Sequence, residues 1–132
     1  MRIGGRAISR GSASGEALLC GEPISFLGGV DAKTGVVMEK GSPIEGKSVA
    51  GKILVFPRGK GSTVGTYVLV QLKRNGVAPA GIINASSETI VAVGAILAGI
   101  PMVDMLERNP LEVLEDGMKV AVNGTEGFVE IG

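Results

Sequence analysis

The chain has 132 residues, 45% hydrophobic and 20% charged, with Lys+Arg and Asp+Glu balanced at 13 each. This is the make-up of one globular domain over residues 1–132, with no bulk field to draw it to nucleic acid or an anionic membrane. Histidine is absent and Cys20 is the only cysteine, which excludes histidine-based triads, phosphohistidine carriers, internal disulfides and any thiolate metal or cluster site built by this chain alone.

Residues 2–8 read as an opening strand and residues 15–20 as a second, bounded by Ser/Gly turns. Residues 23–31 have no clean period, and their apolar side chains in a loop setting predict pinning against the core or a partner. Residues 34–38 read as a short strand and residues 41–46 as a turn. Residues 53–56 form a β-branched and aromatic run typical of a buried strand, stopped by Pro57. A glycine-rich basic loop, Arg58-Gly59-Lys60-Gly61-Ser62-Thr63-Val64-Gly65-Thr66, leads into an apolar helix that ends at Asn75-Gly76. On that helix the spacing of Tyr67 with Val64 predicts that Tyr67 faces the core.

Residues 80–84 form another buried strand, and Ser86-Ser87-Glu88 reads as a helix start with a hydroxyl cap. The helix at 89–98 is apolar nearly all round, which predicts an interior position or a covering layer. Residues 100–103 resemble a brief strand, and Asn109-Pro110 sets an N-cap and N1 proline for a short helical turn. Residues 118–122 and 128–131, around Asn123-Gly124, read as a hairpin. The central strand–helix–strand–helix–strand order predicts parallel pairing, and the flanking strands predict an added β layer. The expected fold is α/β, with β/β/α layering in three tiers.

The glycine loop is the one segment with chemistry in it. Its glycines permit close backbone approach, the following helix N-terminus presents unpaired N–H groups, and Arg58 and Lys60 add full charges beside Ser62 and Thr63. A Walker A loop needs Gly-Lys followed at once by Ser or Thr, and Gly61 stands there instead; Gly61 to Gly65 is one residue too long for a dinucleotide fingerprint. A plain structural turn, with Ser62 as an ordinary capping serine, remains open on the loop alone.

Four separated segments narrow the choice. Pro23-Ile24-Ser25-Phe26-Leu27-Gly28-Gly29-Val30-Asp31, Gly51-Lys52-Ile53-Leu54-Val55, Gly59-Lys60-Gly61-Ser62-Thr63 and Gly76-Val77-Ala78-Pro79-Ala80 together resemble the small swivelling domain of the aconitase X family. The resemblance covers nearly the whole chain. It implies a three-layer swivelling domain, supplied as a small subunit to a large catalytic subunit that holds a 4Fe–4S cluster. It implies further that the loop serine, Ser62 here, is the proton acceptor, with Arg58, Lys60, Gly61 and Thr63 as substrate-binding residues. The implied reaction is loss of water from (R)-5-phosphomevalonate to give trans-anhydromevalonate 5-phosphate, in the mevalonate route to isoprenoids and in the cytoplasm.

Rival readings are the same machinery acting on a hydroxyproline and a stand-alone anion-binding module. A swivelling phosphoryl carrier is rejected because it needs a histidine. Elsewhere Asp31 reads as a turn aspartate, Cys20 as a small buried hydrophobe, and Glu39, Glu45, Glu107, Glu112 and Glu115 as solvated surface acids.

Overall fold

In a computed structural model that describes residues 1–132, the elements run β1 (Arg2–Gly4), β2 (Arg6–Ser9), β3 (Ser12–Leu19), α1 (Phe26–Gly29), β4 (Ile53–Phe56), α2 (Gly65–Arg74), β5 (Gly81–Asn84), α3 (Thr89–Ala98), β6 (Met102–Asp104), α4 (Pro110–Val113), β7 (Lys119–Asn123) and β8 (Phe128–Ile131). Side-chain alternation along β4 and β5 divides the core in two. Leu54, Phe56 and Ile82 point to one face, where they meet Leu69 and Leu72 of α2 and Val91 and Ala95 of α3. Ile53, Val55 and Ile83 point to the other, where they meet Val120 and Val122 of β7, Val129 of β8 and Ile3 of β1. Buried on both faces, these strands are apolar but for Asn84, as parallel strands between two layers tend to be.

Strand order is β1-β8-β7-β3-β4-β5-β6-β2. Neighbours from β3 through β6 are parallel, and the rest are antiparallel. Long strand β3 belongs to both halves: Ser12 to Glu16 pair with β7, and Ala17 to Leu19 pair with β4. The sheet doubles over at that change of partner, so the antiparallel part covers one face of the parallel part while α2 and α3 cover the other. This is the expected three-layer β/β/α arrangement.

Several local expectations need correction. The opening strand is broken at Gly5 into β1 and β2, which lie at opposite ends of the strand order. Residues 34–38 make only isolated bridges, Val36 with Ser48 and Val37 with Val30, because no long neighbour runs beside them. Helix α3 is capped not by a hydroxyl but by the Glu88 carboxylate, which accepts from Ile90 N–H and Val91 N–H at 2.7 and 3.0 Å. Nor is α3 covered all round, since Val93, Ile96 and Leu97 are exposed. The hairpin stands where expected, and its turn packs tightly: a Cβ on Gly124 would clash with the Ser9 carbonyl oxygen.

Asp104, at the end of β6, is fully buried. Arg6 of β2 donates Nε to its Oδ1 and an Nη2 hydrogen to Oδ2, at 2.9 and 2.7 Å. Ser87 adds its backbone N–H and its hydroxyl to Oδ2, at 2.8 and 2.7 Å. Burial alone pushes this carboxyl up, but the bonds from Arg6 and Ser87 together outweigh it and hold the group below its ordinary range.

Asp104→Ala is expected to lower stability by about 2–4 kcal/mol in urea unfolding. The native carboxyl binds its proton less readily than the unfolded one, so its stabilisation is complete above the ordinary aspartate value of about 4 and is lost as pH falls through the lower native value. As pH falls from about 4 toward that lower native value, the stability of Asp104→Ala should therefore vary less steeply than that of wild type.

Candidate functional site

Strand β4 ends at Phe56, and the glycine loop leaves from Pro57 at the C-terminal ends of the parallel strands, where open α/β sheets place their ligands. Its root is tied to the segment after β5: Ala85 N–H and Ser86 N–H donate to the Pro57 carbonyl at 3.0 and 3.2 Å. Further on, Gly59 bridges Ile24, with Ile24 N–H donating to Arg58 O and Lys60 N–H to Ile24 O. The Phe26 ring meets Phe56 edge-on, with centroids 5.9 Å apart. That contact pins residues 23–31 to the core, one of the two outcomes their composition predicts.

Two of the loop's glycines are required by space and backbone. A Cβ on Gly59 would lie 2.5 Å from both Glu88 Oε1 and Val91 Cγ2. Gly61 has φ +86°, and a Cβ there would meet Ser25 Oγ at 2.7 Å. With Gly59 turned inward to α3, alternation along this extended stretch puts Arg58 and Lys60 on the opposite, exposed face.

Ser62 is exposed, and its Oγ accepts the Val64 N–H at 3.1 Å. The chain turns into α2 through Gly65 N–H on Ser62 O and Thr66 N–H on Thr63 O, at 3.0 and 3.1 Å. The backbone N–H groups of Gly61, Ser62 and Thr63 have no acceptor within the chain. Consecutive amides left free in this way are donors available to an anion. Lys60 Nζ stands 3.5 Å from Glu39 Oε2, whereas Arg58 has no carboxylate partner.

The structure thus brings Arg58, Lys60, Gly61, Ser62 and Thr63 into one exposed loop. It also adds residues that the sequence does not place there. Glu39 is half-buried and paired with Lys60, not a free surface acid. Ser25 lies against Gly61, and Glu88 lies under Gly59. Tyr67 and Val64 are exposed, contrary to the expectation that Tyr67 packs in the core; Val68, Leu69 and Leu72 form the buried face of α2 instead. Thr66 is buried and donates its hydroxyl to Ile90 O at 2.8 Å, a strut between α2 and α3. Asp31 is a turn residue whose Oδ1 accepts the Lys33 N–H, and Cys20 is buried with its thiol on Glu22 O.

No three Asp, Glu, Cys or His side chains converge as a metal site would need. A shallow groove of about 420 Å³, lined in part by Ser12, Ser14, Asn123 and Phe128, lies on the outer face of the antiparallel strands and includes no residue of the loop.

Residues 2–131 match the family model of the aconitase X swivel domain. The chain is 60% identical to a phosphomevalonate dehydratase small subunit of Methanosarcina acetivorans, over 99% of this chain and 91% of that one. It is 58% identical to the protein of the same name from Methanocella arvoryzae, over 99% of each chain. Among solved structures, the crystal structure of Thermococcus kodakaraensis aconitase X in its holo form superposes with a TM-score of 0.95 at 53% identity, covering 100% of this chain and 98% of that one. The chain belongs to the aconitase X swivel domain family.

Gly61→Ala should lower stability by about 1–3 kcal/mol, through the left-handed backbone and the Ser25 contact together. Urea unfolding measures it, and a neutral result would mean that the loop relaxes freely.

Proposed function

We propose that this member of the aconitase X swivel family is the small subunit of a phosphomevalonate dehydratase, a hydro-lyase active only with a large subunit. On this reading the whole chain, residues 1–132, swivels as one unit over the substrate. Similarity to relatives of that name along nearly their full length carries the proposal. The chemistry of the loop supports it.

Ser62 is the proposed proton acceptor. A serine oxygen is a weak base unless donors stabilise its anionic form. The Val64 N–H already points at Oγ, and the first turn of α2 adds its positive end. The proton removed is on the carbon next to the substrate's carboxylate, and it passes to the anionic Ser62 Oγ, which becomes a neutral hydroxyl. As it leaves, the C–O bond on the adjacent carbon breaks, the hydroxyl departs as water with a proton supplied from the large-subunit side, and the carbon–carbon double bond of trans-anhydromevalonate 5-phosphate forms. Arg58, the N–H groups of Gly61 and Thr63, and Lys60 beside Glu39 bind the anionic groups of (R)-5-phosphomevalonate. Arg58 is the strongest of these, because its planar fork is unpaired and suits an oxyanion.

A 4Fe–4S cluster does not fit the donors of this chain. Its single thiol is buried on the Glu22 carbonyl, and no acid, thiol or imidazole set converges. The cluster therefore belongs to the proposed large subunit. Leu27, Val64 and Tyr67, exposed next to or within the loop and the start of α2, suit coverage by that partner. No helix is long and apolar enough to cross a membrane, and a cytoplasmic enzyme is proposed.

The test is a dehydration assay with (R)-5-phosphomevalonate on the chain alone, the large subunit with iron and sulfide restored under anaerobic conditions, and the mixture. Turnover confined to the mixture is expected. A stable complex that leaves phosphomevalonate untouched but dehydrates a hydroxyproline would change the substrate, and phosphate binding by the isolated chain without complex formation would favour an anion-binding module.

Ser62→Ala should lower kcat by about 100-fold or more while leaving complex formation and melting unchanged. Arg58→Gln should act chiefly on KM, raising it by about tenfold. Near-normal turnover by Ser62→Ala would remove that residue from the role of base.

A further inference from the structure

Asn84 closes β5 and is fully buried. Ile83 faces the core between the sheets, so Ile82 and Asn84 face the helical layer, beneath the starts of α2 and α3. The other side chains that β4 and β5 send to that face, Leu54, Phe56 and Ile82, are apolar. A leucine would satisfy packing at position 84. An amide stands there instead, and its Oδ1 is the one buried side-chain polar atom in the chain without a hydrogen-bond partner. Turning the amide over would set its oxygen against the Phe56 carbonyl, so the orientation with the bare oxygen is the better one. Leaving an acceptor bare in a core is unfavourable. A broken packing rule with no gain in stability points to function.

The other end of the amide shows what is gained. Asn84 Nδ2 donates to Phe56 O at 3.2 Å. Phe56 is the last residue of β4, and Pro57 has no N–H with which to extend the ladder. Asn84 thus fastens one carbonyl at the root of the glycine loop, and Ala85 N–H and Ser86 N–H fasten the next. Five residues beyond Pro57 stands Ser62.

We propose that Asn84 is a positioning residue for Ser62, holding the base of the loop so that the hydroxyl and its neighbouring amides meet the substrate in register. The inference rests on the proposed role of Ser62, and its test reads the anchoring separately from the reaction. In the free, full-length chain, Asn84→Leu removes both the bare oxygen and the bond to Phe56 O, effects of opposite sign, so the melting temperature should stay within about 5 °C of wild type. Amide exchange should quicken by about tenfold at Lys60 and Ile24, whose N–H groups bond across the loop, and stay unchanged at Cys20, whose N–H bonds to Val55 O in the sheet. In the complex with the large subunit, kcat for phosphomevalonate should fall by about tenfold or more, with KM within about threefold.

Unchanged exchange at Lys60 and Ile24, or wild-type kcat, overturns the proposal. So does a large drop in melting temperature with faster exchange at Cys20 as well, since that is the signature of a purely structural residue. If Asn84→Leu does not fold, Asn84→Ala, which leaves room for a water on Phe56 O, is read by the same criteria. A wild-type complex inactive on phosphomevalonate overturns the proposed function alone, because the exchange measurement still decides whether Asn84 anchors the loop.

Discussion

A carboxylate buried as deeply as that of Asp104 is unfavourable unless donors fill its oxygens, and the way this chain fills them arranges the whole C-terminal end of the parallel strands. Arg6 approaches in fork geometry from β2, which therefore lies along β6. Ser87 supplies two more donors, which turns the segment between β5 and α3 back over the strand ends. The next residue, Glu88, then stands where it can close the first turn of α3 and pack under Gly59. The position of the loop thus follows, contact by contact, from the solvation of one buried charge.

The loop itself divides its charges. Lys60 is already half-neutralised by Glu39 in a partly exposed pair, of a kind worth at most about 1 kcal/mol to the fold. Such a pair sets local charge more than it holds structure. Arg58 and the free amides from Gly61 to Thr63 keep their full capacity for an oxyanion. Thr66 and Gly59, buried beside them, join the loop to α3 and take no part in the exposed face.

What could be read in advance was whatever period and composition encode locally. The apolar run of β4, the stop at Pro57, the glycine loop and the Asn109-Pro110 helix start each declare themselves within a few residues. So did the layered α/β fold, because the alternation of strand and helix limits the topologies. Contacts between distant segments were not legible. Nothing around Glu39 announces Lys60, and nothing around Asn84 announces the Phe56 carbonyl. The spacing of Tyr67 with Val64 shows that the two share a helix face but not which face is covered, and the covered face is the other one. The break at Gly5 likewise depends on distant partners: residues 2–8 look like one strand until the hairpin and β6 each claim a part.

That break also orders events during synthesis. The sole strand partner of β1 is β8, with Arg2 opposite Glu130, so a strand synthesised early pairs with one synthesised 128 residues later. At typical elongation speeds of about 5–20 residues per second, several seconds separate the two strands' appearance. Strand β2, by contrast, needs only β6 and can dock earlier. The chain's two outer strands, one glycine apart in sequence, are therefore finished at different times, and β1 seals the antiparallel edge only after translation has delivered its partner.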